Sequence, residues 1–150
     1  MTDRLIRDVV RDAVARLAPD ELDDFELVVR TFEASPDAAR RGVRVASAPR
    51  DEATGFGVEL AAQALSSLAM AVALDVSKDL VKEGGKSVWR WWRVRRAAPA
   101  PTDATPVLAE GDRDRAVTTA TASATALGAS PAQADAVARA VIDCWTAPVP

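Results

Sequence analysis

The chain has 150 residues and a formal net charge of −3, with one cysteine and no histidine. The lone Cys144 excludes an internal disulfide and a cysteine-based zinc cluster, and the absence of histidine removes the commonest general base and every Ser–His or Cys–His pair. Such a weakly acidic chain gives no reason to expect tight nucleic-acid binding by the whole molecule.

The first predicted element is an amphipathic helix from about Asp3 to Leu17. Its apolar residues recur at helical spacing, and its charged residues occupy the other side. These first turns lack the apolar stretch of a secretory signal, which predicts a cytoplasmic protein.

A second helix is predicted to begin near Pro19, because proline is tolerated in a first turn, and to end at Ser35. Four acids suit its positive N-terminal end: Asp20, Glu21, Asp23 and Asp24. Carboxylates on successive turns usually form a solvated face, so we prefer that interpretation to a metal site. Further along, alternation from Gly42 to Ala46 predicts a short strand near 43–46.

The third predicted helix, from about Val58 to Val81, is the most apolar. No residue is charged between Leu60 and Leu74. A helix that is apolar nearly all round is buried or lies in lipid. Fifteen residues rise about 22 Å, which is short of a bilayer core of about 30 Å. We therefore predict a buried central helix, with membrane insertion of residues 60–76 as the alternative.

A cluster of tryptophan and arginine follows this helix, and we refer to residues 89–96 as the Trp/Arg cluster. Its candidate binding residues are Trp89, Arg90, Trp91, Trp92, Arg93, Arg95 and Arg96. Tryptophan and arginine are enriched at protein-interface hot spots. They also suit an anionic membrane surface, where the protein would sit at the inner face, or the stacked bases and phosphates of a nucleic acid. A helix that buries Trp89 and Trp92 in the protein's own core would equally account for them. We expect a protein partner first, an anionic membrane second, and nucleic acid least.

The remainder of the chain is predicted to form a connection and two helices. Residues 98–111 are rich in Pro and Ala and predict an extended linker. Two helices should follow, from about Asp112 to Leu127 and from Pro131 to Trp145. The expected fold is mainly α, with α+β containing one or two short strands as the alternative. Its expected parts are a core domain at 1–97, the linker, and a helical hairpin at 112–147.

Two further groups are weak candidates for chemistry. Ser66 and Ser67 lie on an apolar helix without an identified base. Cys144 follows Asp143, and a neighbouring acid raises a thiol pKa, which disfavours a nucleophile. We therefore expect no catalytic residue, no cofactor and no metal ligand.

The middle of the chain also carries a pattern of elements. Its successive parts are Asp20-Glu21-Leu22, Ser35-Pro36-Asp37, the basic turn Arg40-Arg41-Gly42-Val43-Arg44-Val45, Ala48-Pro49, Gly55-Phe56-Gly57, and an Ala/Leu-rich helix ending in Trp and Arg. From about Asp20 to Arg96 this order resembles the effector-associated constant components of actinobacterial conflict systems. Those are small proteins encoded beside variable effector domains, peptidases and NTPases. The resemblance implies a non-enzymatic adaptor that docks a larger partner; the alternative is a membrane-active effector anchored by the Trp/Arg cluster.

Overall fold

The computed structural model describes residues 4–47, 55–83 and 99–147, with side chains described for 4–44, 65–81 and 99–147. Within these ranges the chain is mainly α-helical, as predicted. The helices described in these ranges are α1 (Ile6–Leu17), α2 (Phe25–Ala34), α3 (Pro36–Ser47), α4 (Gly55–Glu83), α5 (Arg113–Ala126) and α6 (Pro131–Thr146). Short 3₁₀ helices precede α2 and α5, at Pro19–Asp24 and Glu110–Asp112.

The helix α4 is the centre of the bundle. Every residue from Leu68 to Leu74 is buried, because α1, α2, α3, α5 and α6 all contact α4. A helix covered on all sides needs apolar side chains on every face rather than on one stripe. The predicted buried central helix is therefore confirmed. Among the described residues, no helix combines the length and the apolar character that a bilayer crossing requires.

Small side chains allow the helices to approach α4 closely. On α5 the buried face consists of Ala116, Ala120 and Ala124, spaced one turn apart. Two phenylalanine rings of α2, Phe25 and Phe32, pack into the same cluster. Burying each of these rings contributes about 1.5–3 kcal/mol to folding.

The predicted strand near 43–46 is wrong, because these residues belong to α3. Ala39 and Val43 lie one turn apart and both are buried, on a helix that packs against α4. The apolar positions therefore follow the helical spacing of four residues and not the strand spacing of two. Pro36 occupies the first helical position, which proline favours. The exposed Gly42 lowers helix propensity but does not end the helix.

The C-terminal hairpin forms as predicted, with α5 and α6 joined through Gly128, whose φ is +98°. Ser130 caps α6, since its hydroxyl accepts the Gln133 backbone N–H at 3.2 Å. The buried side chains of α5 and α6 belong to the same hydrophobic cluster as those of α1, α2 and α4. The described parts of the 1–97 and 112–147 segments thus share one core.

Candidate functional site

The predicted binding residues lie outside the described residues: Trp89, Arg90, Trp91, Trp92, Arg93, Arg95 and Arg96. The structure describes instead the elements on either side of them. On one side α4 ends at Glu83, and on the other the described chain resumes at Pro99.

The end of α4 lies at one end of the bundle, together with the start of α5 and the end of α6. The Arg115 guanidinium lies 3.3 Å from the Asp79 carboxylate, which joins α5 to the last turns of α4. Arg113 pairs with Asp143 on α6 and donates to the Thr146 hydroxyl at 3.0 Å. We refer to this part of the bundle as the junction end.

The start of α1 also lies at the junction end and is capped by the segment that follows the Trp/Arg cluster. Leu5 is the N-cap residue and has no side-chain oxygen to accept the first helical N–H groups. The Ile6 N–H donates to the Asp103 carbonyl, and the Arg7 N–H donates to the Pro101 carbonyl, each at 2.9 Å. Backbone carbonyls from a distant segment thus replace the missing cap.

The same segment is tied to α6 as well. Thr105 donates its backbone N–H and its hydroxyl to the Arg4 carbonyl, at 2.8 and 3.0 Å. The indole N–H of the buried Trp145 donates to the Pro106 carbonyl at 3.0 Å. We refer to residues 100–106 as the strap. The sequence predicted only an extended linker here; the one signal of a docked segment was Trp145, because a buried indole N–H needs an acceptor.

Arg4 connects α1 and α6 at the junction end. Its guanidinium donates to the Cys144 carbonyl and pairs with Asp12. The Cys144 carbonyl lies in the last turn of α6, where helical carbonyls lack partners and a cation is favourable. The side chain of Arg4 is only 13 % exposed, so this arginine is committed to the fold.

A second polar cluster joins α3, α4 and α5. Asp75 on α4 accepts hydrogen bonds from both terminal guanidinium nitrogens of Arg40, one of them at 3.1 Å. The Ser123 hydroxyl donates to the same carboxylate at 2.6 Å. The Arg40 guanidinium and the Ser123 hydroxyl both bond to this carboxylate. Asp75 therefore holds α3, α4 and α5 together.

The four acids before α2 differ in their exposure to solvent. Asp20, Asp23 and Asp24 are exposed, whereas Glu21 is buried. Glu21 accepts the hydroxyl and the backbone N–H of Ser66, at 2.9 and 3.0 Å. Burial is the main reason that the pKa of Glu21 is raised, and the two bonds from Ser66 oppose the rise.

This contact corrects the expectation that Ser66 has no base beside it. A carboxylate does accept the Ser66 hydroxyl, but Ser66 is only 1 % exposed. The pair is therefore shut off from substrate in this structure. Across residues 4–44, 65–81 and 99–147, no three acidic or thiol side chains are grouped closely enough to hold a metal ion.

Cys144 is buried, and burial is the main cause of the raised pKa of its thiol. Of the neighbouring charges, Arg16 and Arg4 lower this pKa, and Asp12 and Asp143 raise it. A thiol held protonated in a core is a poor nucleophile. Cys144 therefore acts as a packing residue, in line with its sequence context.

Comparison of the chain with protein-family models, with curated proteins and with solved structures finds no match.

Proposed function

We propose that this chain is a non-enzymatic adaptor that docks a larger protein partner through the Trp/Arg cluster at residues 89–96. The resemblance to effector-associated constant components of actinobacterial conflict systems suggests the setting, in which the partner is encoded beside the adaptor. The chemistry of the cluster supports a protein partner, because tryptophan and arginine carry a large share of interface energy.

The observation that supports this proposal is the position of the cluster in the chain, between two elements of the folded bundle. Its segment follows Glu83 at the end of the central helix and is followed by the strap, which hydrogen bonds to α1 and α6. A partner bound by the cluster would therefore be linked to the folded bundle on both sides of the contact.

The use of polar groups supports a non-enzymatic role. Glu21, Asp75 and Asp79 each bond across helix boundaries, to Ser66, to Arg40 and Ser123, and to Arg115 and Thr119. These three carboxylates hold helices together, so they serve the fold and are not free for a reaction.

The burial of α4 favours a protein partner over membrane insertion. The run from Leu68 to Leu74 lies inside the bundle, so placing it in lipid would require the surrounding helices to separate. Each large apolar side chain that loses its protein contacts in that step gives up a burial free energy of about 1.5–3 kcal/mol. The core accounts for the apolar character of α4 without a membrane.

The proposal is tested by co-purification with the proteins encoded beside the gene. We expect wild type to retain one of them and a Trp89→Ala/Trp91→Ala/Trp92→Ala variant to lose it. A Leu27→Ala variant is the matched control, because Leu27 is 56 % exposed on α2. Equal retention by all three proteins would contradict the proposal.

Vesicles separate the membrane alternative. Tryptophan emission is recorded with anionic vesicles at low and at high salt. We expect no blue shift under either condition. A shift that disappears when Arg93, Arg95 and Arg96 are neutralised would favour a membrane surface, to which each charge adds about 1 kcal/mol.

A further inference from the structure

The buried face of α5 carries the same side chain at every turn. Ala116, Ala120 and Ala124 are all buried, and α5 packs against α4 and α6. Identical side chains one turn apart fit the same space, so a slide of α5 by four residues, about 6 Å, would keep most of this apolar contact. The alanine face therefore brings α5 close to its neighbours without fixing its position along the helix axis.

Polar contacts between α4 and α5 follow the same spacing. The Ser123 hydroxyl donates to the Asp75 carboxylate at 2.6 Å, and the Thr119 hydroxyl donates to the Asp79 carboxylate at 3.5 Å. The two hydroxyls are four residues apart on α5, and the two carboxylates are four residues apart on α4. Each hydroxyl therefore meets one carboxylate in the observed register of the two helices.

A slide of α5 by one turn toward its own N-terminus would change only part of this pattern. Ser123 would then lie opposite Asp79, which would still meet a hydroxyl. Asp75 would lie opposite Leu127, whose side chain has no hydrogen-bond donor. The link to α6 can lengthen in this slide if the last turn of α5 unwinds, and the threonines of α5 give it a low helix propensity.

A slide in the opposite direction is prevented by the alanine face itself. It would bring Asp112, which is exposed, into the place of the buried Ala116. Burying a carboxylate without a partner is strongly unfavourable. The choice between the two remaining registers therefore depends on Asp75.

We infer that Asp75 sets the position of α5 along α4, because it bonds to Ser123 in the observed register and would face Leu127 in the neighbouring one. Arg40 on α3 bonds to Asp75 through both terminal guanidinium nitrogens and orients the carboxylate. Polar groups at helix contacts are known to select one register among several apolar packings. The role of Asp75 is thus to make the packing of α5 unique, in addition to making it stable.

Paramagnetic relaxation enhancement, measured by NMR on the full chain, reads the register directly. A nitroxide is attached at Lys78→Cys, an exposed position on α4, in a Cys144→Ala background. We expect the broadening of α5 amides in this background to be centred near Thr119. Adding Asp75→Leu should give a second maximum four residues later, near Ser123. The ratio of the two registers should change by roughly 10- to 150-fold, the equilibrium worth of one hydrogen bond to a charged group.

Two control variants separate the register from other effects of the substitution. Asp75→Asn removes the charge but keeps an acceptor for the Ser123 hydroxyl, so it should keep the single maximum near Thr119. Asp135→Leu makes the same chemical change at an exposed position on α6 and should also keep the single maximum.

Asp75→Ala is the second test variant and replaces Asp75→Leu if that protein does not melt cooperatively. It also removes the acceptor, so it should show the second maximum near Ser123. A single maximum near Thr119 in the folded Asp75→Leu or Asp75→Ala protein would overturn the inference. A second maximum in Asp75→Asn or Asp135→Leu would overturn it as well, because the register would then not depend on the acceptor at Asp75.

Discussion

Glu21 reaches from the 3₁₀ helix after α1 to the central helix, where its carboxylate accepts both the backbone N–H and the hydroxyl of Ser66. The contact fixes the turn between α1 and α2 against α4. It also buries a carboxylate, whose charged form is disfavoured away from water.

The first prediction concerns the pH dependence that this burial creates. The pKa of Glu21 is raised above its usual value of 4.5, so the folded state binds the proton more tightly than the unfolded state. The stability from Glu21 is therefore fully present below pH 4.5 and is lost as the pH rises through the raised pKa. Glu21→Gln keeps an acceptor without a charge. It should raise the free energy of unfolding at pH 7 and flatten its decline above pH 4.5 in denaturant titrations.

Glu21→Ala is the control for the hydrogen bonds. It removes the acceptor and leaves the N–H and hydroxyl of Ser66 without this partner, which should cost about 1–3 kcal/mol. If Glu21→Gln were as destabilising as Glu21→Ala at pH 7, the carboxylate charge would be needed at this position and the burial argument would fail.

The second prediction concerns the central helix. Leu68→Asp should prevent cooperative folding, because a buried unpaired charge costs several kcal/mol, and Leu68→Ala should cost about 2–5 kcal/mol. Leu27→Asp is the matched control, since Leu27 is exposed; it should stay within about 0.5 kcal/mol of wild type. A thermal melt of Leu68→Asp with a wild-type midpoint would show that α4 is not the core.

The spacing of apolar residues predicted the long helices well but failed where the apolar pattern covers only a few residues. The stripes of α1 and α2 extend over several turns, so their spacing was decisive. Around Val43 the apolar pattern covers only a few residues, and alternation there fits both a strand and one side of a helix. The packing of Ala39 and Val43 on α4 decided between them.

Long-range contacts could not be predicted in the same way. Glu21 sits among acids that all suit a helix start, and only its neighbour in space, Ser66, distinguishes it. The Arg40–Asp75 pair joins residues 35 apart in the chain. The strap was predicted as a linker because its Pro and Ala content indicates only the backbone conformation that the segment prefers. The composition of the segment does not indicate that its carbonyls accept hydrogen bonds from Ile6 and Arg7.

The third prediction concerns the Arg40–Asp75 pair, whose side chains are both partly buried. A double-mutant cycle with alanine should give a coupling free energy of about 1 kcal/mol, because the contact is a two-pronged arginine–carboxylate pair. The exposed Asp135–Arg139 pair within α6 is the control and should give about 0.3–0.5 kcal/mol. Equal coupling in the two cycles would contradict a structural role for Asp75.

The fourth prediction concerns the shared core. Because α5 and α6 pack on α4 and α1, a chain ending at residue 97 should expose much of α1 and α4 and lose its cooperative melt. Adding the separate 112–147 peptide should restore part of the helical circular dichroism signal. A cooperative melt of residues 1–97 by themselves would show instead that the hairpin is dispensable for the core.

We propose that the Trp/Arg cluster docks a protein partner, and calorimetric titration of that partner checks this proposal. Trp89, Trp91 and Trp92 are replaced by alanine one at a time, and thermal melts confirm that each variant is folded. We expect at least one replacement to raise Kd by about 30-fold or more, equivalent to about 2 kcal/mol, with an unchanged melting temperature. If the partner binds all three variants with Kd values within about twofold of wild type, the cluster is not the docking site.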